Sequence, residues 1–300
     1  MENPKRGRDR ASADANKDTY LHPSISALMD EARGDETPED VIRRKCRELV
    51  HIAKSHGWSG PAFDPKILAS IFHIRVIVAD HDMPGEGWIT SFKGQVVITV
   101  RPDKSEERQR FTICHEIAHT CFPDVFEMVR SRKSSPEAEG DRKFEALCDV
   151  GASELLMPHD NFLADMGDAR LSLTGTSALG VRYGTSIDAA IRRAVGFTEQ
   201  PCAALFLTDE SFGEHTVPSG HHHVRYFIRS KKFLGFPKPG TATPFGSCVH
   251  TCPLGPPAPP VLETWTIDEK QHQYHIESLR LPEFGKDYPK VLALVHQIAG

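Results

Sequence analysis

The chain has 300 residues, a formal net charge of −5 and 39% hydrophobic residues. This length predicts two or three modules with enough apolar side chains for a buried core. The negative charge argues against a protein wholly devoted to coating nucleic acid, although a local basic face stays open. No apolar run approaches the ~20 residues of a bilayer span, and the first residues lack the apolar stretch of a signal peptide, so we expect a cytoplasmic protein. Seven cysteines, an odd number, predict reduced thiols and not a disulfide framework.

The first hundred residues predict a tail, helices and a hairpin. Residues 1–36 show no sustained period and are interpreted as a flexible tail. Thr37 followed by Pro38 and two acids predicts the start of a helix that ends near Gly57. We expect three further elements: a short helix after Pro65, a strand over residues 74–78 and a hairpin over residues 88–100.

The stretch from residue 111 to 121 carries the motif His115-Glu116-Ile117-Ala118-His119. A serine at position 105 predicts a helix here, and residues four apart share a helix face, so both imidazoles can reach one metal ion. Zn²⁺ suits such ligands, and a catalytic zinc site needs a third protein ligand and an open position for water. Glu116 can then take the proton of that water. The alternative is a solvated helix that carries these residues without a metal.

A second helix, predicted from Ser135 to Met157, carries Glu145 and Asp149. Acids four residues apart share a helix face, so one carboxylate could bind the metal while the other orients a ligating imidazole. We predict Glu145 as the third ligand and Asp149 as the orienting group. Three cysteines compete as thiolate ligands: Cys114, Cys121 and Cys148. The first two lie on the apolar stripe of the motif helix, where free cysteine usually packs as a small hydrophobe.

Three segments resemble the ImmA/IrrE family of bacterial zinc-dependent proteases: Arg108–His119, Glu145–Asp149 and Ala152–Pro158. The resemblance covers about residues 38–197. It departs from the family at Asp149, where asparagine is common. It implies a zincin-like metallopeptidase domain with one zinc ion on His115, His119 and Glu145, and Glu116 as general base. It also implies the family's activity, cleavage of a cognate helix-turn-helix repressor that releases genes for stress response or mobile-element transfer.

Residues 161–198 are predicted to form a helix-turn-helix-like segment. A helix before Gly184 and a capped helix after Ser186 give the pattern of two helices joined by a glycine turn. Three arginines make the segment modestly basic: Arg182, Arg192 and Arg193. Direct DNA binding therefore stays open, although such helix pairs also serve as packing or partner-docking elements.

Residues 199–300 are predicted to form a small β-rich α+β module. Five strand candidates are separated by segments rich in glycine and proline: Cys202–Leu207, Val224–Ile228, Val261–Ile267, Tyr274–Leu279 and Val291–Val295. A sensor-like, GAF-like domain holds this position in the longer IrrE-like members. The resemblance implies a similar domain here by analogy.

Two clusters in this module invite a metal interpretation: His221-His222-His223 and Cys248-Val249-His250-Thr251-Cys252. The cysteine spacing is not C-x-x-C, and the proline-rich flank favours an exposed loop. A second hypothesis is that these thiols respond to oxidation. That hypothesis requires exposed thiols with a lowered pKa.

The sequence thus predicts an α+β protein of four parts: a tail (1–36), a zinc metallopeptidase domain (37–160), the helix-turn-helix-like segment (161–198) and the C-terminal module (199–300). The predicted activity is that of an endopeptidase, in which Glu116 deprotonates a zinc-polarised water and passes the proton to the leaving amine. The hairpin would offer an edge strand to an extended substrate.

Two alternatives of other classes stay open. The first is a DNA-binding regulator with a structural or vestigial metal site, and the second is a metal-dependent sensor whose C-terminal module binds a small ligand. A structural site would be closed by a fourth protein ligand, whereas a catalytic site stays open to water.

Overall fold

The computed structural model describes residues 22–79, 85–125, 139–167, 169–212, 214–218, 221–235, 238–267, 270–282 and 288–298. The described residues form α-helices and two β-sheets and separate into two compact units. The first unit comprises residues 1–162 and 183–185, and the second comprises residues 163–182 and 186–300. No helix in the described part of the chain is long and apolar enough to cross a membrane.

Six helices begin among the described residues of the first unit: α1 (Pro23–Met29), α2 (Pro38–Ser55), α3 (Pro65–Ile71), α4 (Glu106–His119), α5 (Glu139–Leu156) and α6 (His159–Met166). Thr37 caps α2 through a reciprocal capping box with Asp40, and Ser105 caps α4. The helices predicted after Thr37, Asp64 and Ser105 are therefore confirmed. The predicted start of α5 near Ser135 lies outside the described residues.

A three-stranded sheet supports α4: β1 (Arg75–Val78), β2 (Gly87–Phe92) and β3 (Gln95–Val100), in the order β1-β3-β2. β3 pairs in parallel with β1 and antiparallel with β2, so β2 lies at an edge of the sheet. Lys93 and Gly94 form the hairpin turn with φ values of 50° and 80°, as a two-residue turn that follows the strand twist requires. α4 contacts both β2 and β3.

The predicted flexible tail is wrong for the part that the structure describes. α1 begins at Pro23, the Nδ1 atom of His22 accepts the backbone N–H of Ser24, and Ile25 and Leu28 are buried. A seven-residue helix with two buried aliphatic side chains is too short to display a helical period in the sequence. Residues 1–21 lie outside the described residues.

The core of the first unit fixes α5 against α2 and α4. Leu147, Leu155 and Leu156 of α5 are buried, and each such side chain contributes roughly 2 kcal/mol relative to an exposed one. The predicted packing stripe is confirmed for Cys114 and Ala118 of α4 and for Cys121 just beyond its end, which are buried, whereas Phe111 is only partly buried. This packing sets the separation between the faces of α4 and α5 that carry the predicted site.

The second unit is built on a five-stranded antiparallel sheet. Its strands are β4 (Cys202–Thr208), β5 (His223–Arg229), β6 (Val261–Ile267), β7 (Lys270–Arg280) and β8 (Val291–Gln297), in the order β5-β4-β8-β7-β6. All five predicted strands are confirmed. The likeness of this module to a GAF-like sensor domain stays a prediction.

The two helices predicted around Gly184 are confirmed as α7 (Leu173–Tyr183) and α8 (Ile187–Phe197), and Ser186 caps α8. The predicted boundaries at 161 and 198 would make these helices a separate segment, but the structure places α8 and most of α7 in the second unit. α8 packs on β4 and β5 and buries its apolar face there. DNA binding by this helix pair stays a prediction.

The segment around Cys248 is not the exposed loop that its prolines favour. Residues 248–250 form a short 3-10 helix, and Val249 and Cys252 belong to the hydrophobic core of the second unit together with Trp265 and Tyr274. The proline-rich flank, residues 255–260, correctly predicted an absence of helix and strand. Prolines and glycines do not, however, predict whether the side chains beside them are buried.

Candidate active site

α4 and α5 bring the three predicted metal ligands together. The Oε2 atom of Glu145 lies 2.9 Å from Nε2 of His115 and 3.7 Å from Nε2 of His119. Three ligands of one tetrahedral zinc ion stand roughly 3.3 Å apart, since each lies about 2.0–2.1 Å from the metal. The distances of the Glu145 oxygen from the two imidazole nitrogens lie on either side of this value, so the oxygen is placed to share a zinc ion with each histidine.

Asp149 contacts the opposite nitrogen of the His115 ring. Its Oδ1 atom lies 2.9 Å from Nδ1 of His115, as predicted for an orienting carboxylate. Burial opposes a charge on this imidazole, but the hydrogen bonds to Asp149 and Glu145 outweigh burial and raise its pKa to about 9. The carboxylates that hold a proton here also favour a bound cation. Whether Glu145 is a ligand and Asp149 an orienting group stays a prediction.

Cys148 forms a second set of metal-capable side chains with the same two histidines. Within the described residues, ligand atoms of His115, His119 and Cys148 lie within 4.8 Å of one another, and Sγ of Cys148 is 3.3 Å from Nδ1 of His119. Burial first, and then the nearby carboxylates of Glu145 and Glu116, raise the Cys148 pKa well above its ordinary value. We favour Glu145 as the third ligand because its carboxylate oxygen approaches Nε2 of both histidines, whereas the Cys148 sulfur contacts His119 at Nδ1, the opposite ring nitrogen.

Glu116, the predicted general base, is 5% exposed and lies beside the start of β2. A Cβ atom added to Gly87 would lie 3.2 Å from Oε1 of Glu116 and 2.2 Å from Cγ2 of Thr112. Only glycine therefore lets the edge strand approach the motif helix this closely. Our sequence reasoning missed Gly87, and its signal was a lone glycine directly before a predicted strand.

His22 is a second residue near this site that sequence reasoning missed. Its ring stacks on Phe144 with centroids 4.4 Å apart, and the Phe144 centroid is 5.1 Å from that of His119. Burial lowers the pKa of His22, although Asp141 and other acids oppose this effect. The residue was assigned to the tail, and nothing in its sequence context indicated a contact with Phe144.

The arginines of the helix-turn-helix-like segment have partners within the second unit. Arg182 makes a two-pronged ion pair with Asp165 at 2.8 and 3.1 Å. Arg192 pairs with Asp188, and its guanidinium lies over the rings of Phe206 and Tyr226. Arg193 is buried and lies over the ring of Phe197. These contacts give all three arginines a structural role and favour packing over DNA contact.

The two histidine and cysteine clusters of the C-terminal module, at residues 221–223 and 248–252, give little support to a metal site. Nδ1 of His222 is 3.2 Å from Nδ1 of His250, and two neutral imidazoles can share this hydrogen bond. In the described part of the chain no third metal-capable side chain joins them at ligand distance. The oxidation hypothesis is wrong by its own criteria, because burial raises the pKa of Cys248 to about 12 and also raises that of the buried Cys252.

Fold and site together define a class. The hairpin edge, the motif helix and a second helix that supplies an acid form an IrrE-like metallopeptidase domain, and residues 72–195 match the family model described as the IrrE N-terminal-like domain. These residues therefore form a domain of the ImmA/IrrE family, as the motifs within them predicted.

Two individual proteins illustrate the likeness. The radiation response metalloprotease IrrE of Deinococcus deserti is 36% identical over 28% of this chain, and the match spans 34% of that protein, about a third of its length. A solved structure titled Mycobacterium tuberculosis transcriptional regulator aligns over 96% of this chain and 94% of that chain, with 14% identity and a TM-score of 0.47. At that TM-score the second likeness carries no argument about fold or function.

Proposed function

We propose that the protein is a zinc-dependent endopeptidase that cleaves a cognate helix-turn-helix repressor. The observation that carries the proposal is the convergence of Nε2 of His115, Nε2 of His119 and Oε2 of Glu145, with Glu116 beside them on α4. The IrrE relative, whose name describes it as a metalloprotease, supports the same chemistry. The cytoplasm is the proposed location, because a DNA-bound repressor is found there.

His115, His119 and Glu145 would hold one zinc ion. Zinc supplies a Lewis acid that polarises a peptide carbonyl and makes a nearby water more acidic. Glu116 takes a proton from the attacking water at its carboxylate and later gives it to the nitrogen of the leaving amine. Asp149 keeps the His115 ring oriented through its Nδ1 atom.

The substrate would bind as an extended segment. β2 is an edge strand whose first residue, Gly87, lies against Glu116, so a peptide paired with β2 would pass close to the general base. Repressor cores are helical, and a helix cannot pair with a strand edge. We therefore expect the cut in an interdomain linker or in a segment that opens locally at low cost.

The test mixes the purified protein and Zn²⁺ with each helix-turn-helix repressor that is encoded near it or co-regulated with it, and maps any cut by mass spectrometry. Glu116→Gln should retain one zinc ion and its fold while cleavage falls by several orders of magnitude, because a base is lost and no ligand is lost. Glu107→Gln, an exposed position on the same helix, is the matched control and should cleave like the parent.

Two results would contradict the proposal. If Glu116→Gln cleaves at the parental rate, Glu116 is not the base. If the parent protein binds no stoichiometric zinc and leaves every neighbouring or co-regulated repressor intact, the endopeptidase assignment itself fails.

A further inference from the structure

Cys148 and Glu145 contact opposite nitrogens of the same imidazole. Both lie on α5, three residues apart, which places them next to each other on one helix face. Oε2 of Glu145 approaches Nε2 of His119 at 3.7 Å, and Sγ of Cys148 approaches Nδ1 of that ring at 3.3 Å. The thiol therefore lies behind the ring, on the side away from the predicted metal position.

The tautomer of a metal-binding imidazole decides which atom donates the hydrogen bond between His119 and Cys148. A neutral imidazole that offers Nε2 to a metal carries its proton on Nδ1, and that N–H needs an acceptor. The sulfur of Cys148 is a weak acceptor at hydrogen-bonding distance. Asp149 contacts Nδ1 of His115 in the same way, so α5 supplies a partner for the rear nitrogen of each histidine.

Burial makes the contact of Cys148 hard to replace. His119 is 1% exposed and Cys148 is fully buried, and the ring of Phe144 lies against the same imidazole. Bulk water therefore does not reach this contact in the folded protein. Removal of the sulfur weakens the hydrogen bonding of a buried N–H and so disfavours the tautomer that binds metal.

We propose that Cys148 is a positioning residue that fixes the tautomer and orientation of His119 and lies outside the ligand set. The assignment rests on the proposed zinc site and decides its type. If Cys148 were itself a ligand beside His115, His119 and Glu145, four protein ligands would close the site, which is the pattern of structural zinc. With Cys148 behind His119, one coordination position is left for water and substrate.

The experiment measures Zn²⁺ affinity by chelator competition for the full chain and for Cys148→Val, Cys148→Ser and Cys148→Ala. Val has nearly the volume of Cys but no acceptor, and we expect its affinity to fall about 10- to 100-fold, as for other groups that support a ligand. The serine hydroxyl restores an acceptor and should recover most of the affinity. Cys114→Val, which removes another buried thiol of the same unit, is the packing control and should bind like the parent.

Co²⁺ absorption provides the second readout, because a cobalt–thiolate bond absorbs strongly in the near ultraviolet. The Co²⁺ form of the parent protein should lack this band. The assignment would be overturned if folded Cys148→Val bound Zn²⁺ as tightly as the parent. It would also be overturned if the Co²⁺ form of the parent showed a thiolate band that is absent in Cys148→Ser. In both cases the proposed zinc site would still stand. Failure of the parent to bind Zn²⁺ would instead overturn the proposed function, and this assignment with it.

Discussion

Asp149 and Glu145 contact opposite nitrogens of His115, each at 2.9 Å. The two acids lie one helical turn apart on α5, so a single helix face supplies both contacts. Only Glu145 also approaches the second histidine, at 3.7 Å from Nε2 of His119. We therefore expect Glu145 to act as a metal ligand and Asp149 to orient His115, and mutation of each residue can distinguish these two roles.

Removal of Glu145 should cost far more zinc affinity than removal of Asp149. We expect Glu145→Ala to abolish stoichiometric zinc at neutral pH, and Asp149→Ala to weaken affinity about 10- to 100-fold. Asp149→Asn keeps an oxygen acceptor for the His115 N–H and should lose less than the alanine variant. Chelator competition at fixed pH gives all three values. The reverse order, with Asp149→Ala losing zinc and Glu145→Ala keeping it, would make Asp149 the ligand.

Much of this site could be predicted from sequence because its signals are local. Helical spacing puts His115 and His119 on one face, and the same rule pairs Glu145 with Asp149. The contact of Cys148 with His119 depends on how two helices pack, and no spacing rule within one helix reports that. The closeness of Gly87 to Glu116 depends in the same way on the approach of a strand to a helix.

Substitution of Gly87 should impair turnover without removing the metal. The added Cβ of Gly87→Ala would stand 2.2 Å from Cγ2 of Thr112 and 3.2 Å from Oε1 of Glu116, so β2 must move or the general base must shift. A displacement of this kind costs rate because proton transfer requires hydrogen-bond distance. We expect a loss of about 10²-fold in kcat/KM, with zinc content unchanged.

A double mutant isolates the cause. Thr112→Ser removes the methyl group that would clash but keeps the hydroxyl that donates to the carbonyl of Arg108. The pair Gly87→Ala/Thr112→Ser should therefore recover part of the lost rate, whereas Thr112→Ser alone should change little. If the double mutant is no better than Gly87→Ala, the collision with Thr112 is not the reason for the glycine.

Acid should destabilise the second unit through His296. This ring is buried, its Nε2 donates to the carbonyl of Leu171 (2.8 Å), and burial, with help from Arg170, lowers its pKa from 6.5 to about 4. Because the pKa of His296 is lower in the folded chain, the unfolded chain takes up a proton at this ring first as the pH falls. The contribution of the neutral ring to stability is therefore complete above about pH 6.5, decreases below that value and is lost as the pH falls through about 4.

The expected loss in the free energy of unfolding is on the order of 3 kcal/mol over that pH range. His296→Gln keeps an N–H that can reach Leu171 but does not titrate, and it should flatten the pH dependence. Denaturant unfolding between pH 4 and pH 7 measures both proteins, and a proton NMR titration of the His296 ring gives its pKa directly. An equal pH dependence in the two proteins would show that other groups cause it.

The C-terminal strands were predictable because alternating or β-branched runs between turn residues mark them directly, and all five appear in the sheet. The burial of Cys252 and Val249 was not predictable in the same way. Their segment has no periodic pattern, so its place in the core depends on side chains from strands far along the chain, among them Trp265 and Tyr274.

Arg192 provides the sharpest contrast between a packing role and DNA binding for the helix-turn-helix-like segment. Its guanidinium lies 4.9 Å from the ring centroids of both Phe206 and Tyr226 and pairs with Asp188. Each cation–π contact at a partly exposed site is worth about 0.5–1 kcal/mol. We therefore expect Arg192→Ala to destabilise the second unit by about 1–2 kcal/mol, whereas Arg192→Met keeps part of the apolar packing and should lose less.

DNA binding should be unaffected by either change. Fluorescence anisotropy with promoter DNA over a range of salt concentrations should detect only weak binding without sequence preference, because the arginines of α7 and α8 already have partners in the protein. Repressor cleavage by folded Arg192→Met should match the parent. Sequence-specific binding with a steep salt dependence that Arg192→Met weakens would instead assign this helix pair to DNA, and the regulator would then replace the protease as the better account of the chain.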